Sequence, residues 1–301
     1  MSTEPALLDS QNPSGLDGIE FIEYATARPL ALGHELELMG FQLVARHRSR
    51  EVLLYRQGTM NVVINAHDSA VALGAAAGAA AGAAVDSVRI SAVAFRARDA
   101  GAAYRRALER GAWAVPRHVE VMELNIPAIH GVGASRIYFV DRYREFSIYT
   151  VDFVPIPSAE QHPPAIAGLR WFGLVQYVGP ERMDEWTALY RELFAFVPIP
   201  DEQGFGILPG GRILRSPCGG FYLQLVEPAS GSPDQAEERL ARVGLGTDDV
   251  LDAARVLRGR GVEFMDSEIG RPTERGALTR SAPAGAMFEL VRDRRASPGA
   301  R

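Results

Sequence analysis

The chain has no lysine, so all 32 of its basic residues are arginine. It has one cysteine, Cys218, and no histidine after His162 in 301 residues. A single thiol cannot close an internal disulfide, nor can it build a zinc ribbon or an iron–sulfur cluster. Such sparing use of cysteine fits a reducing cytoplasm. Long apolar runs are missing too. The nearest to one, residues 70–85, is mostly Ala and Gly, too short and too small in side chain to cross a bilayer. The opening MSTEPALLDSQNPSG has no basic start followed by an apolar stretch, so it does not read as a secretory signal. Positive charge is not in excess: 32 basic against 37 acidic residues leave a net charge of −5. Without a basic field, nucleic acid is not an expected partner, and neither is a membrane.

What is present is core material. Hydrophobic residues make up 47% of the chain, enough for packed globular domains. The length suits two of them. An internal echo decides the architecture: VAFRARDAGAAYRRALERGAW from Val93 matches VGLGTDDVLDAARVLRGRGVEF from Val243, 150 positions later. Each copy runs from a β-type stretch to an Asp (Asp99, Asp249), a helical pattern, and a Gly (Gly111, Gly261). Asp accepts orphan N–H groups at a helix start, and Gly tolerates the left-handed turn at its end. A second echo pairs residues 18–47 with the stretch from Arg170, each predicting strand, helix and strand. β-Type runs follow in both halves, among them RIYFVDRY, FSIYTVDFV and AMFELVRD. The pattern predicts an α+β scaffold built twice. The expected domains are 14–155 and 169–295, joined by the Pro-rich linker 156–168. The Ala/Gly segment 74–85 reads as a marginal helix or a loop, with no chemistry assigned.

On the runs GIEFIEYA, MGFQLVARHRSREVLLYRQGTMNVVINAH, AFRARDAGAAYRRALERGA, MELNIPAIHGVG, YFVDRY and SIYTVDFVP, the first half resembles the 4-hydroxyphenylpyruvate dioxygenase family of the vicinal oxygen chelate (glyoxalase/bleomycin-resistance) superfamily. The second half is similar on RMDEW, SPCG, GTDD and MFELV. The resemblance implies paired βαβββ modules in each half, with the second sheet curled around ferrous iron and an aromatic 2-oxo acid. It also implies aromatic compound metabolism and tyrosine catabolism.

In that family two histidines and a glutamate hold the iron on one face of an octahedron. Carried onto this sequence, the first histidine falls on Gly173, or on Leu174 one residue later, and the second on Arg242. Neither Gly nor Leu has a donor atom, and a guanidinium has no lone pair to give. Only Glu289 matches a ligand. The corresponding first-half places are near Phe21, Ala92 and Tyr149, which offer no replacement triad. No cofactor is therefore expected.

Arg242 and Glu289 are expected to meet in a two-pronged ion pair that stands in for the metal. Alternatives are that Arg242 clamps a substrate carboxylate or points outward from a strand end. Ser216, beside Cys218 in a turn, has no histidine or lysine base near it in sequence, and both read as structural. Gln224, alternating with Tyr222 and Val226, either lines the second-half cup or decorates a solvated face. The scattered His34, His47, His67, His118 and His130 show no metal-ligand spacing. Glu20 and Glu23, three apart on a strand, are expected on opposite faces. ILPGGRI and SPCGG read as hairpin turns rather than phosphate cradles.

The candidate substrate-binding set is thus Arg242, Ser216, Gln224 and Glu289, for a small aromatic or 2-oxo acid. Three functions follow: metal-independent binding or conversion of such an acid, a non-catalytic binding protein, or an ordinary 4-hydroxyphenylpyruvate dioxygenase. A homodimer is left open.

Overall fold

The computed structural model describes residues 10–66, 88–116, 124–144, 147–200, 205–206, 211–228, 237–268, 270–280 and 285–295. His67, His118 and the segment 74–85 lie outside them. Among the described residues no helix is long and apolar enough to cross a membrane.

The two echoed helices, Ala100–Glu109 and Val250–Gly259, start at their acidic caps. The Asp99 carboxylate accepts the Ala102 N–H at 2.8 Å, and Asp249 accepts the Asp252 N–H at 3.0 Å. Each helix is followed by a glycine in the left-handed region, Gly111 at φ 92° and Gly261 at φ 102°. A side chain there would clash with its own backbone.

The first half contributes β1 (Leu16–Ala25), β2 (Gln42–His47), β3 (Val52–Gln57), β4 (Met60–Asn65), β5 (Arg89–Ala97), β6 (Ala128–His130), β7 (Arg136–Val140) and β8 (Phe153–Pro155). The second contributes β9 (Arg170–Tyr177), β10 (Val197–Pro198), β11 (Arg212–Arg215), β12 (Tyr222–Val226), β13 (Arg239–Thr247), β14 (Gly276–Leu278) and β15 (Phe288–Arg292). They form an eight-stranded sheet, β6-β7-β5-β1-β4-β3-β2-β8, and a seven-stranded sheet, β10-β11-β12-β9-β13-β15-β14.

The two orders superpose. β1 lies between parallel β4 and antiparallel β5, and β9 lies between parallel β12 and antiparallel β13. β7 runs parallel to β5 as β15 does to β13. In the trailing module of each half, the strand after the helix shrinks to one bridge, Ala114 with Ile129 and Phe264 with Thr279. The result is the expected α+β fold of mixed sheets in repeated βαβββ modules, neither sheet closing into a barrel.

One large core joins the halves. It collects apolar side chains from both sheets and from the helices, with Phe95 of β5 packed on Phe194, Phe196 and Phe221. A smaller core, including Phe21, Val52, Val63, Ile148 and Phe153, floors the concave face of the first sheet. The Pro-rich segment is tied to the first half, since Gly58 N–H donates to Pro163 O at 2.7 Å and Ile166 N–H to Gln57 Oε1 at 2.9 Å.

Two local expectations are corrected. Of the β-type run FSIYTVDFV, only Phe153 and Val154 fall in strand β8; Tyr149–Asp152 is one helical turn. Neighbours Ile148 and Tyr149 both enter the concave core, which a strand would forbid by alternating them. Glu20 and Glu23, expected on opposite faces, share the concave one. A bulge between Ile19 and Phe21 shifts the alternation by one residue. Glu23 lines the concave cavity beside Tyr149. The Tyr149 hydroxyl, whose pKa is held well above its usual range first by burial, is raised further by the adjacent Glu20 carboxylate.

Candidate functional site

The concave face of the second sheet is organised by a row across three strands: Gly173 pairs with Gly244, and Gly244 with Glu289. Arg242 precedes that row by two residues on β13, so it shares the face of Gly244. Leu174 belongs to the large core instead. Gly173 is a glycine for a steric reason. A Cβ there would stand 2.1 Å from the main-chain oxygen of Tyr222 on the neighbouring strand, which leaves no room for any side chain.

Arg242 and Glu289 are each 2% exposed, which rules out an outward-pointing arginine. Arg242 Nε donates to Glu289 Oε2 at 3.1 Å, and its Nη1 donates to the Tyr177 hydroxyl at 3.3 Å. The expected two-pronged contact is not formed. The fork is split between carboxylate and phenol, and Nη2 is buried without a hydrogen-bond partner among the described residues.

The chain's own residues fill the rest of the cup. Phe205 packs edge-on against Phe172 at 4.6 Å and against Tyr222 at 4.5 Å. Gly206 crosses so near Glu289 that a Cβ on it would meet Oε1 at 2.5 Å. The space left among Gly173, Gln224, Gly244 and Glu289 is about 20 Å³, about what one water molecule occupies. Gln224 therefore lines the cup rather than facing solvent. Ser216 is spent in its own turn, where its Oγ accepts the Phe221 N–H at 3.2 Å and contacts Cys218 Sγ at 3.4 Å.

Asp293, just past β15, locks the end of the cup. It accepts from Arg170 Nε at 2.8 Å and Arg295 Nε at 2.9 Å, and the Arg295 guanidinium lies over Phe172 and Tyr222. Burial alone would raise the Asp293 pKa. Side-chain and main-chain hydrogen bonds from Arg295, its charge, and the bond from Arg170 outweigh burial and hold the carboxyl below its usual range. A folded-state pKa below the unfolded one adds stability above that unfolded value, and the gain is lost as pH falls through the folded pKa. Asp293→Asn should therefore cost about 2 kcal/mol at neutral pH. In urea titrations across the acid range, the gap to the wild type should narrow as pH drops below that of an ordinary aspartate.

The first half shows the same frame with other side chains. By strand register Phe21 takes the place of Gly173, Ala92 that of Arg242, and Tyr138 that of Glu289. Tyr149, expected at the last position, sits on the helical turn before β8 instead. None of these places carries an imidazole. Among the described residues no three His, Cys, Asp or Glu side chains gather as a metal ion would need. His47 packs edge-on against Phe153 at 5.3 Å, while His34, His130 and His162 are exposed and separate.

Residues 10–154 match the family model described as hydroxyphenylpyruvate dioxygenase, N-terminal. The chain is 37% identical over 269 residues to a 4-hydroxyphenylpyruvate dioxygenase of Pseudomonas sp. (strain P.J. 874), covering 85% of this chain and 72% of that protein. It is 36% identical over 274 residues to hemolysin VllY of Vibrio vulnificus (strain CMCP6), covering 86% of this chain and 74% of the relative. Among solved structures it superposes on a xylose isomerase-like TIM barrel/4-hydroxyphenylpyruvate dioxygenase fusion protein with a TM-score of 0.71 at 24% identity. That alignment covers 95% of this chain and 51% of the fusion, so the chain spans about half of it.

Proposed function

The chain belongs to the 4-hydroxyphenylpyruvate dioxygenase family, and from that premise we propose that it has exchanged the family's iron for an internal ion pair and binds a small aromatic or 2-oxo acid without a metal. The observation that carries the reading is the buried Arg242–Glu289 contact at 3.1 Å. The residues present do not suit ferrous iron. One carboxylate is available where two imidazoles should accompany it, and the guanidinium beside it is a fixed positive charge that repels a cation. The bar on any side chain at position 173 adds a steric reason to the chemical one.

Iron carries out decarboxylation and oxygen insertion in such enzymes, so neither step is assigned to this chain. What remains is recognition of the acid. Calorimetric titration with 4-hydroxyphenylpyruvate in the presence of a chelator, alongside an oxygen electrode, tests the reading. Saturable one-to-one binding without oxygen uptake is the expected result. Uptake that depends on added ferrous iron would overturn it.

A further inference from the structure

The second cup leaves about 20 Å³, so an acid bound by this chain lies outside it. Cavities of about 450, 330 and 270 Å³ elsewhere are on the scale of small-molecule sites. Charge separates them. Glu35 and Glu263 line the largest, and Glu23 and Asp152 line the one on the concave face of the first sheet. Among the described residues no acidic side chain lines the third, so of these three it alone sets no like charge against an anion.

That cavity lies between the halves, where the central strand pair of each sheet ends. Ala25, last in β1, is paired with Arg89, first in β5; Tyr177, last in β9, is paired with Arg239, first in β13. All four line it. The repeat thus brings two equivalent corners to one cavity, with a phenol on the second where the first has a methyl group. Both arginines are engaged, Arg89 in an ion pair with Glu237 and Arg239 over the Tyr177 ring at 5.0 Å. The Tyr177 hydroxyl has more to give. Its oxygen accepts from Arg242 Nη1 at 3.3 Å, and a phenol that accepts one hydrogen bond keeps its own proton to donate. That proton has no acceptor among the described residues, and it must point away from the guanidinium, which offers only donors. Tyr177 is half-buried on the cavity wall, and Val132, Leu240 and Met287 give that wall an apolar stretch.

We propose that this cavity between the halves is the ligand seat, taking a small aromatic carboxylate with its acid group on the Tyr177 hydroxyl and its ring against Val132, Leu240 and Met287. The assignment rests on the acid-binding reading above, and it moves the site away from the positions where the family resemblance looks for it.

The test titrates the full chain with 4-hydroxyphenylacetate, and with tyramine, which carries the same ring on a cation. The acid should bind one-to-one and tyramine should not. Tyr177→Phe, which removes one oxygen, should weaken the acid about tenfold or more, the loss of a hydrogen bond to a charged group. That variant also takes a partner from Arg242, so hydrogen exchange on the wild-type protein covers the case in which it fails to fold. The acid should slow exchange in 131–135 and 239–242, and leave 47–57 and 124–128 at the first-sheet cavity and 288–292 at the second cup unchanged. Undiminished binding to Tyr177→Phe, protection confined to the first-sheet cavity or the second cup, or tyramine binding as tightly as the acid overturns the placement; the acid-binding reading then stands as long as 4-hydroxyphenylpyruvate itself binds. If neither acid binds, both fall.

Discussion

Glu289→Ala should cost about 3–5 kcal/mol, measured by urea denaturation at neutral pH. The size follows from what is left behind rather than from what is removed. Arg242 is 2% exposed, so its charge has no water to fall back on. Without Glu289 its remaining hydrogen bond is to the Tyr177 hydroxyl, and Nη2 already lacks a partner among the described residues. A pair on the surface would lose under about 1 kcal/mol in the same experiment. Total stabilities of about 5–15 kcal/mol make the loss large enough to threaten folding. The double variant Arg242→Met with Glu289→Leu is the control. Removing both charges leaves no buried ion unpaired and should recover most of the loss, since apolar replacements of buried pairs are often neutral or better.

Gly173→Ala should cost about 3 kcal/mol, a large penalty for one methyl group. Its Cβ would lie 2.1 Å from the Tyr222 main-chain oxygen, and that oxygen belongs to a strand paired on both sides. β12 must move or the parallel pairing of β9 with β12 must open, as in the more severe cases of overpacking. Gly244→Ala, in the same row with its nearest atom at 3.5 Å, is the matched comparison and should change stability by about 1 kcal/mol or less. Thermal melts of the two variants side by side check the steric account. Equal effects would mean that the row tolerates a side chain at 173 after all.

These effects divide what could be read from the sequence from what could not. The modular fold was legible because it repeats: Asp99 and Asp249 cap equivalent helices, and Gly111 and Gly261 follow them. The meeting of Arg242 with Glu289 was legible through the resemblance, since ligands of one ion must be neighbours in space. Its geometry was not, because whether an arginine offers both prongs or one depends on what else, here Tyr177, stands beside it. The shared face of Glu20 and Glu23 was hidden by a bulge, which breaks strand alternation without a mark in the hydrophobic pattern. Tyr138 was missed as the counterpart of Glu289, although it lies 151 positions earlier and so close to the 150 of the echo, because FSIYTVDFV reads as a closing strand of the first half while its Tyr149–Asp152 stretch is a helical turn. The steric block at Gly173 was out of reach of any pattern, since the clashing oxygen comes from a residue 49 positions along the chain.

The most direct measurement is iron stoichiometry. The protein is incubated anaerobically with excess ferrous iron, passed through a desalting column, and analysed for bound metal beside Glu289→Gln. Wild type should retain far less than one iron per chain, and Glu289→Gln should retain no less than the wild type. One iron per chain in the wild type, lost in Glu289→Gln, would contradict the account and restore Glu289 as a metal ligand.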